Sequence, residues 1–350
     1  MTKKTTEINN KLAQLDTKIS GCGSVLIIMH DYPDPDSLAS AMVLSYLVRN
    51  RYNRRAVIVY GGVITRAENR TMIQQLKIKL HTVNRIRWHL YNCIAMVDTQ
   101  PQFGNHSLPD DVTPTIVIDH HPGKNYAGAA FVDVRPEYGA SATILLEYLL
   151  AAELEIPVDI ATAVAYAIRS ETQDLGADAS RDDVDAYLAV YPKANKGKLA
   201  KIYRPVFPKQ YFALLFSALQ KAMVFRHLIH VHLGEVESPE FISQIADWLL
   251  PHERISWALA TGRFENQLFV SMRCSHPNAN AGNMLKQIFG KLGSAGGHTR
   301  MAGGQIPFTG DSEEEWQRLQ NFIITRFLSK LGIKKESEWK PMLLRDESVS

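Results

Sequence analysis

Three clusters of side chains that could bind a cation each follow a short aliphatic run. His30, Asp34 and Asp36 lie in HDYPDPD directly after residues 25–29, Asp98 follows 94–97, and Asp119, His120 and His121 follow 115–118. Carboxylates and imidazoles with no thiolate among them suit Mn²⁺ first, with Fe²⁺ or Mg²⁺ as substitutes, better than a structural zinc. Several carboxylates gathered in one crevice repel each other unless cations sit among them. Two ions about 3.5–4 Å apart, sharing one carboxylate, activate water and stabilise both oxygens of an in-line displacement at phosphorus. Phosphoester hydrolysis is therefore the chemistry these residue types point to. One strand-end Asp or His is more often a turn former, and Pro33-Asp34-Pro35-Asp36 alone reads as a tight turn with Asp36 capping the next helix. The triplet Asp119-His120-His121 has no such account.

Such residues meet only if the runs before them are neighbouring strands. Runs at 25–29, 56–60, 94–97 and 115–118 alternate with helical patterns at 38–48, 67–79, 142–152 and 160–170, the signature of βαβ units and a parallel sheet. The carboxyl ends of parallel strands line one crevice, so the three clusters should converge. Around 191–211 (YPKANKGKLAKIYRPVFPKQY) three prolines and a cluster of Lys and Arg break the apolar period, which reads as an interdomain connection. Beyond it a helix over 212–225, strands near 228–236, 255–261 and 268–273, a helix over 281–291, a Gly-rich turn and a last helix over 313–331 imply a second, smaller α/β domain. The expected fold class is α/β, with domains at 1–190 and 216–332, a linker at 191–215 and a frayed tail at 333–350.

At these residues the sequence resembles the DHH phosphoesterase family, whose name describes Asp119-His120-His121. His30-x-x-x-Asp34-x-Asp36 with Ser40 is similar to its first motif, Asp98 in VDTQP to its second and IDHHP to its third, while GSAGGHTRMAGGQIP (293–307) is similar to the glycine-rich signature of the DHHA1 substrate-binding domain. The resemblance covers about residues 20–330, with the motifs in order. It implies one ion held by His30, Asp34 and Asp98 and another by Asp36, Asp98 and His120 plus a fourth-motif carboxylate, with Asp98 as the bridge. It implies that His121 faces the substrate phosphate as charge stabiliser or proton donor, and that Asp119 orients the histidines. The fourth motif departs from the family pattern, because AIRSETQDLG has Glu171 where an Asp is usual and Asp174 three residues later. Either can be the ligand; Glu171 matches the position.

Gly296-Gly297-His298 and the following glycines can let main-chain amides approach an anion. Arg273 in FVSMRCS matches the family's phosphate-binding arginine, with Arg300 beside it. A distal clamp of this kind favours short 5′-phosphorylated substrates over long polymers. The resemblance thus implies an oligoribonuclease of the nanoRNase kind, degrading 5′-phosphorylated dinucleotides and very short oligoribonucleotides. Alternatives are 3′-phosphoadenosine 5′-phosphate, cyclic dinucleotides, a RecJ-like single-strand exonuclease, a nucleotide sensor without catalysis, or a scaffold for protein partners.

Composition narrows the setting. In 350 residues Lys and Arg number 39 against 36 Asp and Glu, without the basic excess that duplex nucleic acid needs. Three cysteines without a CxxC pair argue against a disulfide framework and a thiolate zinc site. The polar N-terminus reads as an amphipathic helix and no apolar run is of membrane length, so a cytoplasmic protein is expected, with a homodimer an open expectation.

Overall fold

Strands buried on both faces read as continuous apolar runs rather than alternating ones, and four such runs build the first half of this chain. The computed structural model describes residues 3–343, apart from 65, 124, 125, 127, 177, 178, 277, 278, 298, 309, 311 and 334–337, and divides into two compact units between Val206 and Phe207.

The first unit runs α1 (Lys3–Ser20), β1 (Ser24–Ile28), α2 (Pro35–Tyr52), β2 (Arg55–Tyr60), α3 (Ala67–Leu76), β3 (Leu80–Thr82), β4 (Ile94–Val97), β5 (Ile116–Asp119), β6 (Phe131–Val134), α4 (Ser141–Ala151), α5 (Val158–Glu171), α6 (Arg181–Val190) and α7 (Lys196–Tyr203). Its strands form a parallel six-stranded sheet in the order β3-β2-β1-β4-β5-β6. Alternate residues face opposite layers. Val25 and Ile27 join Leu15, Leu44, Ile144 and Ala163 of α1, α2, α4 and α5 in the main core. Leu26 and Ile28 face the other way, where Val83, Trp88, Tyr91 and Val112 of short 3-10 turns and loops, rather than α-helices, cover the sheet.

The second unit runs α8 (Lys209–Lys221), β7 (Met223–Phe225), β8 (Leu228–Glu235), α9 (Pro239–Leu249), β9 (Trp257–Phe264), β10 (Gln267–Cys274), α10 (Ala281–Phe289), β11 (Ser294–Gly297), β12 (Met301–Pro307), α11 (Glu313–Lys330) and β13 (Lys340–Pro341). Its mixed sheet has the order β11-β12-β10-β9-β8-β7-β13, with β8 and β9 parallel across the α9 crossover and the remaining pairs antiparallel. Helices cover both faces, α8 and α9 over Ile229, Val231 and Ala260, α10 and α11 over Leu259, Leu268 and Met272.

Four expectations need correction. The stretch 191–211 is not a bare connection: Asn195 caps α7 through Lys198 N at 2.9 Å, and Leu199 and Ile202 of that helix are core residues of the first unit. The helix placed over 212–225 spans Lys209–Lys221, Pro208 being its N-cap, and gives way to β7. The Gly-rich turn is an antiparallel hairpin, with Ala295 opposite Gly304 and Gly296 opposite Gly303. The tail is not frayed where it is described, because Lys340 pairs with Val224 of β7. The three cysteines are buried and unbridged, and among the described residues no helix is long and apolar enough to cross a membrane.

Candidate metal centre

Strand order reverses between β1 and β4, the place where an open parallel sheet leaves a crevice at its carboxyl ends. His30 follows β1, Asp98 follows β4 and Asp119 ends β5, so all three clusters reach that crevice. His30 Nε2 lies 3.5 Å from Asp34 Oδ2 and 3.6 Å from Asp98 Oδ2. The other oxygen of the same carboxylate, Asp98 Oδ1, lies 3.6 Å from His120 Nε2 and 3.8 Å from His121 Nδ1. Donor atoms of His30, Asp34 and Asp98 lie within 4.8 Å of one another, as do those of Asp98, Asp119, His120 and His121. Asp98 belongs to both groups and turns one oxygen to each.

Local structure holds these donors in place. Asp98 adopts the left-handed backbone region, φ 57°, which aspartate tolerates better than most residues, and Ser141 Oγ donates to its Oδ1 at 3.0 Å. His30 Nδ1 is 2.9 Å from Asp31 O, and His120 Nδ1 is 3.1 Å from Tyr138 O. A carbonyl oxygen only accepts, so each Nδ1 carries a proton and donates, which turns Nε2 toward Asp98 to bear a second proton or to ligate a metal ion. A lone pair facing a carboxylate oxygen at 3.6 Å requires a cation between them, a proton or a metal ion. Oxygen and imidazole donors converging on one shared carboxylate fit divalent ions of the Mn²⁺ kind.

The electrostatics lead the same way. Burial and the charges of Asp36, Asp34 and Asp119 push Asp98 well above the usual carboxylate range. Burial with Asp34 raises Asp36 to about 7, and burial with Asp34 and Asp36 raises Glu171 well above its usual value. Burial opposes ionisation of Asp34 too, but His30 wins and holds it well below. The same partnership, against the burial of the imidazole, lifts His30 to about 9. Burial likewise opposes the charge on Asp119, yet the His121 hydrogen bond keeps its carboxyl low, and against desolvation the same bond raises His121. Carboxyls packed this closely disfavour one another's charge, and a cation among them would relieve that repulsion.

The remaining expected site residues fall in several places. Asp119 accepts from His120 N, His121 N, His121 Nδ1 and Gln100 Nε2, at 2.8, 3.2, 2.8 and 2.7 Å. Asp36 does not cap its own helix, which is the work of Asp34 through Ser37 N at 2.9 Å. Instead the Asp36 oxygens accept from Ser141 N at 2.7 Å and Ala142 N at 2.9 Å, capping α4, with Oδ2 4.0 Å from His120 Nε2. Of the two fourth-motif acids, half-buried Glu171 at the end of α5 feels the charges of Asp34 and Asp36. Asp174 has its side chain 70 % exposed and pairs with Arg169.

In the second unit, Arg273 is buried, and its guanidinium donates to Asp247 Oδ1 at 2.5 Å, Ser271 Oγ at 2.8 Å and Met272 O at 3.1 Å. Gly297, at φ 142°, sits where a Cβ would strike Met301 and Ala302, whereas a Cβ on Gly296 would meet open space. Arg300 is half-buried in the hairpin turn, and His298 lies outside the described residues. Sequence reasoning missed Gln100, which joins Asp119 to His121 O at 2.6 Å, and Ser141, which serves Asp98. Gln100 stands in VDTQP and Ser141 opens α4, but an uncharged orienting residue has no residue-type signature. Buried Ser40, four residues after Asp36, has a hydroxyl with no hydrogen-bond partner among the described residues.

Comparison with known proteins places these features. Residues 24–168 match the DHH family, N-terminal domain, and residues 226–327 match the DHHA1 domain. An uncharacterised protein of Methanocaldococcus jannaschii is 32 % identical over 321 residues, 90 % of this chain and 65 % of that protein. A probable manganese-dependent inorganic pyrophosphatase of Lactobacillus delbrueckii subsp. bulgaricus is 29 % identical over 149 residues, 42 % of this chain and 47 % of that protein. The chain thus spans 65 % of the length of the archaeal relative and about half that of the pyrophosphatase. In fold it is similar to an exopolyphosphatase-related protein from Bacteroides fragilis, with a TM-score of 0.73 at 13 % identity over 92 % of this chain and 98 % of the other.

Proposed function

The chain belongs to the DHH/DHHA1 phosphoesterase family, and from that membership we propose that it is a divalent-metal-dependent phosphodiesterase cleaving 5′-phosphorylated dinucleotides and very short oligoribonucleotides to mononucleotides. One observation carries the hydrolytic reading: the Asp98 carboxylate gives one oxygen to the His30–Asp34 group and the other to the group around His120 and His121. His30, Asp34 and Asp98 would hold one ion, and Asp98 and His120, with Asp36 and Glu171 nearby, the other. Bound there, Mn²⁺ ions supply an activated water and charge stabilisation for the oxygens around phosphorus.

The residues beside the ions have their own tasks. Asp119 fixes the tautomer and orientation of His121 through the 2.8 Å bond to Nδ1 and favours its charged form. A charged His121 donates a proton to the leaving oxygen, and its ring is oriented before substrate arrives. In the second unit Arg300 and the open main chain at Gly296 are assigned to a substrate phosphate. Arg273 joins them only by exchanging part of its bonding to Asp247, as a bidentate phosphate allows.

The partial match to a probable manganese-dependent inorganic pyrophosphatase favours a second reading, hydrolysis of inorganic pyrophosphate. The test incubates the protein and Mn²⁺ with 5′-phosphorylated RNAs of two, five and twenty-odd nucleotides, 3′-phosphoadenosine 5′-phosphate, cyclic dinucleotides and pyrophosphate, resolving products by chromatography. Selective loss of the dinucleotide supports the proposal. Preference for the longest RNA assigns an exonuclease, preference for pyrophosphate the second reading, and tight nucleotide binding without turnover a sensor.

A further inference from the structure

Two residues after His30 the main chain does something that an aromatic residue resists. Tyr32 sits in the left-handed region at φ 58°, where a bulky side chain is disfavoured. Burial does not repay this strain, because the residue is 46 % exposed. The conformation is imposed from several sides. Asp31 N donates to Asn105 O at 2.7 Å, Ser107 Oγ lies 2.9 Å from both Asp31 carboxylate oxygens, and Tyr32 N donates to Gly61 O at 3.1 Å. Gly61 is bare where a Cβ would collide with the Asp31 carboxylate and the Ser107 hydroxyl. At Gly62, itself at φ 70°, a Cβ would lie 2.9 Å from the Tyr32 ring, so the ring rests on glycine main chain. After β4, Phe103 is 36 % exposed and meets the His121 ring edge-on, centroids 6.1 Å apart.

We propose that Tyr32, with Phe103 as its counterpart beside His121, is a stacking platform for the bases of the substrate, selecting nucleotides over inorganic phosphates at the metal centre. The inference rests on the phosphodiesterase reading above and names what that site recognises. Strain held by a locked loop, with an exposed ring two residues along the chain from His30, is the expected form of a ligand clamp. A π face gives a nucleobase a sequence-tolerant partner, whereas pyrophosphate and polyphosphate have nothing to stack. Tyr32 is assigned here to specificity, with no part in bond breaking.

The test compares kcat/KM with Mn²⁺ for 5′-phosphorylated diadenosine and for the same backbone lacking its bases, in the wild type, Tyr32→Gly and Tyr32→Phe, alongside Tm. Tyr32→Gly should lower the preference for the base-bearing dimer about tenfold, mainly through KM. Its Tm should equal or exceed that of the wild type, because glycine relieves the left-handed strain, and Tyr32→Phe should retain the preference. Equal losses on both substrates, an unchanged preference, or a lowered Tm with no split in KM would overturn the stacking role alone. A wild type that hydrolyses pyrophosphate and neither dimer would overturn the phosphodiesterase reading and this inference with it.

Discussion

Asp98 joins a left-handed backbone, near-complete burial and three imidazole neighbours in one residue, so its carboxylate is where the proposed chemistry is most exposed to test. Asp98→Asn keeps the volume and the Ser141 contact but removes the charge that two cations would share. Turnover should fall at least about a hundredfold while circular dichroism stays native, and Mn²⁺ calorimetry should lose its tighter binding. Glu171→Gln should weaken Mn²⁺ binding about tenfold, whereas Asp174→Asn, altering an exposed carboxylate paired with Arg169, should leave the binding isotherm in place. The acids and histidines of this centre were legible because ligands directly after aliphatic strands must share a crevice. The division of labour was less so, since nothing in HDYPDPD says that Asp34 caps α2 while Asp36 reaches across to α4.

That reach makes Asp36 a structural part of two elements. Asp36→Ala would strip buried acceptors from the N–H groups of Ser141 and Ala142, and metal-free protein should lose about 2 kcal/mol in urea unfolding. Strand β8 carries a different liability. His230 and His232 neighbour each other with ring centroids 5.1 Å apart, and His232 Nδ1 is bonded to Thr261 Oγ1 at 2.6 Å. Burial, with His232 adding to it, pushes His230 down to about 3, and burial pushes His232 to about 4. Folded values below the ordinary 6.5 mean that the unfolded chain takes up protons the folded chain refuses. The contribution of this pair to stability should therefore hold above pH 6.5 and decline as pH falls toward 4, and His230→Leu should flatten that decline in unfolding measurements made across the range. Elements with apolar runs were readable from sequence; those with polar punctuation were not. Prolines and lysines at 191–211 looked like a linker, yet Pro192 opens a helical turn and the exposed lysines of α7 occupy its solvated side. Helix α9 went unread although Ser238-Pro239-Glu240 carries the start signal.

At the scale of the whole molecule, two units with separate cores carry different chemical loads. The first concentrates the acids that repel one another without cations, while the second holds its arginine and glycines on a mixed sheet. Adding Mn²⁺ should slow amide exchange around β1, β4 and β5, and a chelator should reverse it, with β8 to β10 responding little. Uniform protection across both units would place the cation effect elsewhere. The two-unit α/β plan was visible in the alternation of runs and in the glycine-rich signature. The irregular cover of the first sheet was not, because Val83, Trp88, Tyr91 and Val112 follow no helical or strand period. The most direct measurement of the central claim titrates metal-free protein with Mn²⁺ while following hydrolysis of a 5′-phosphorylated diribonucleotide. Activity should stay near zero through the first equivalent and rise to its plateau with the second, whereas full activity without metal or at one equivalent, or none with two ions bound, would contradict it.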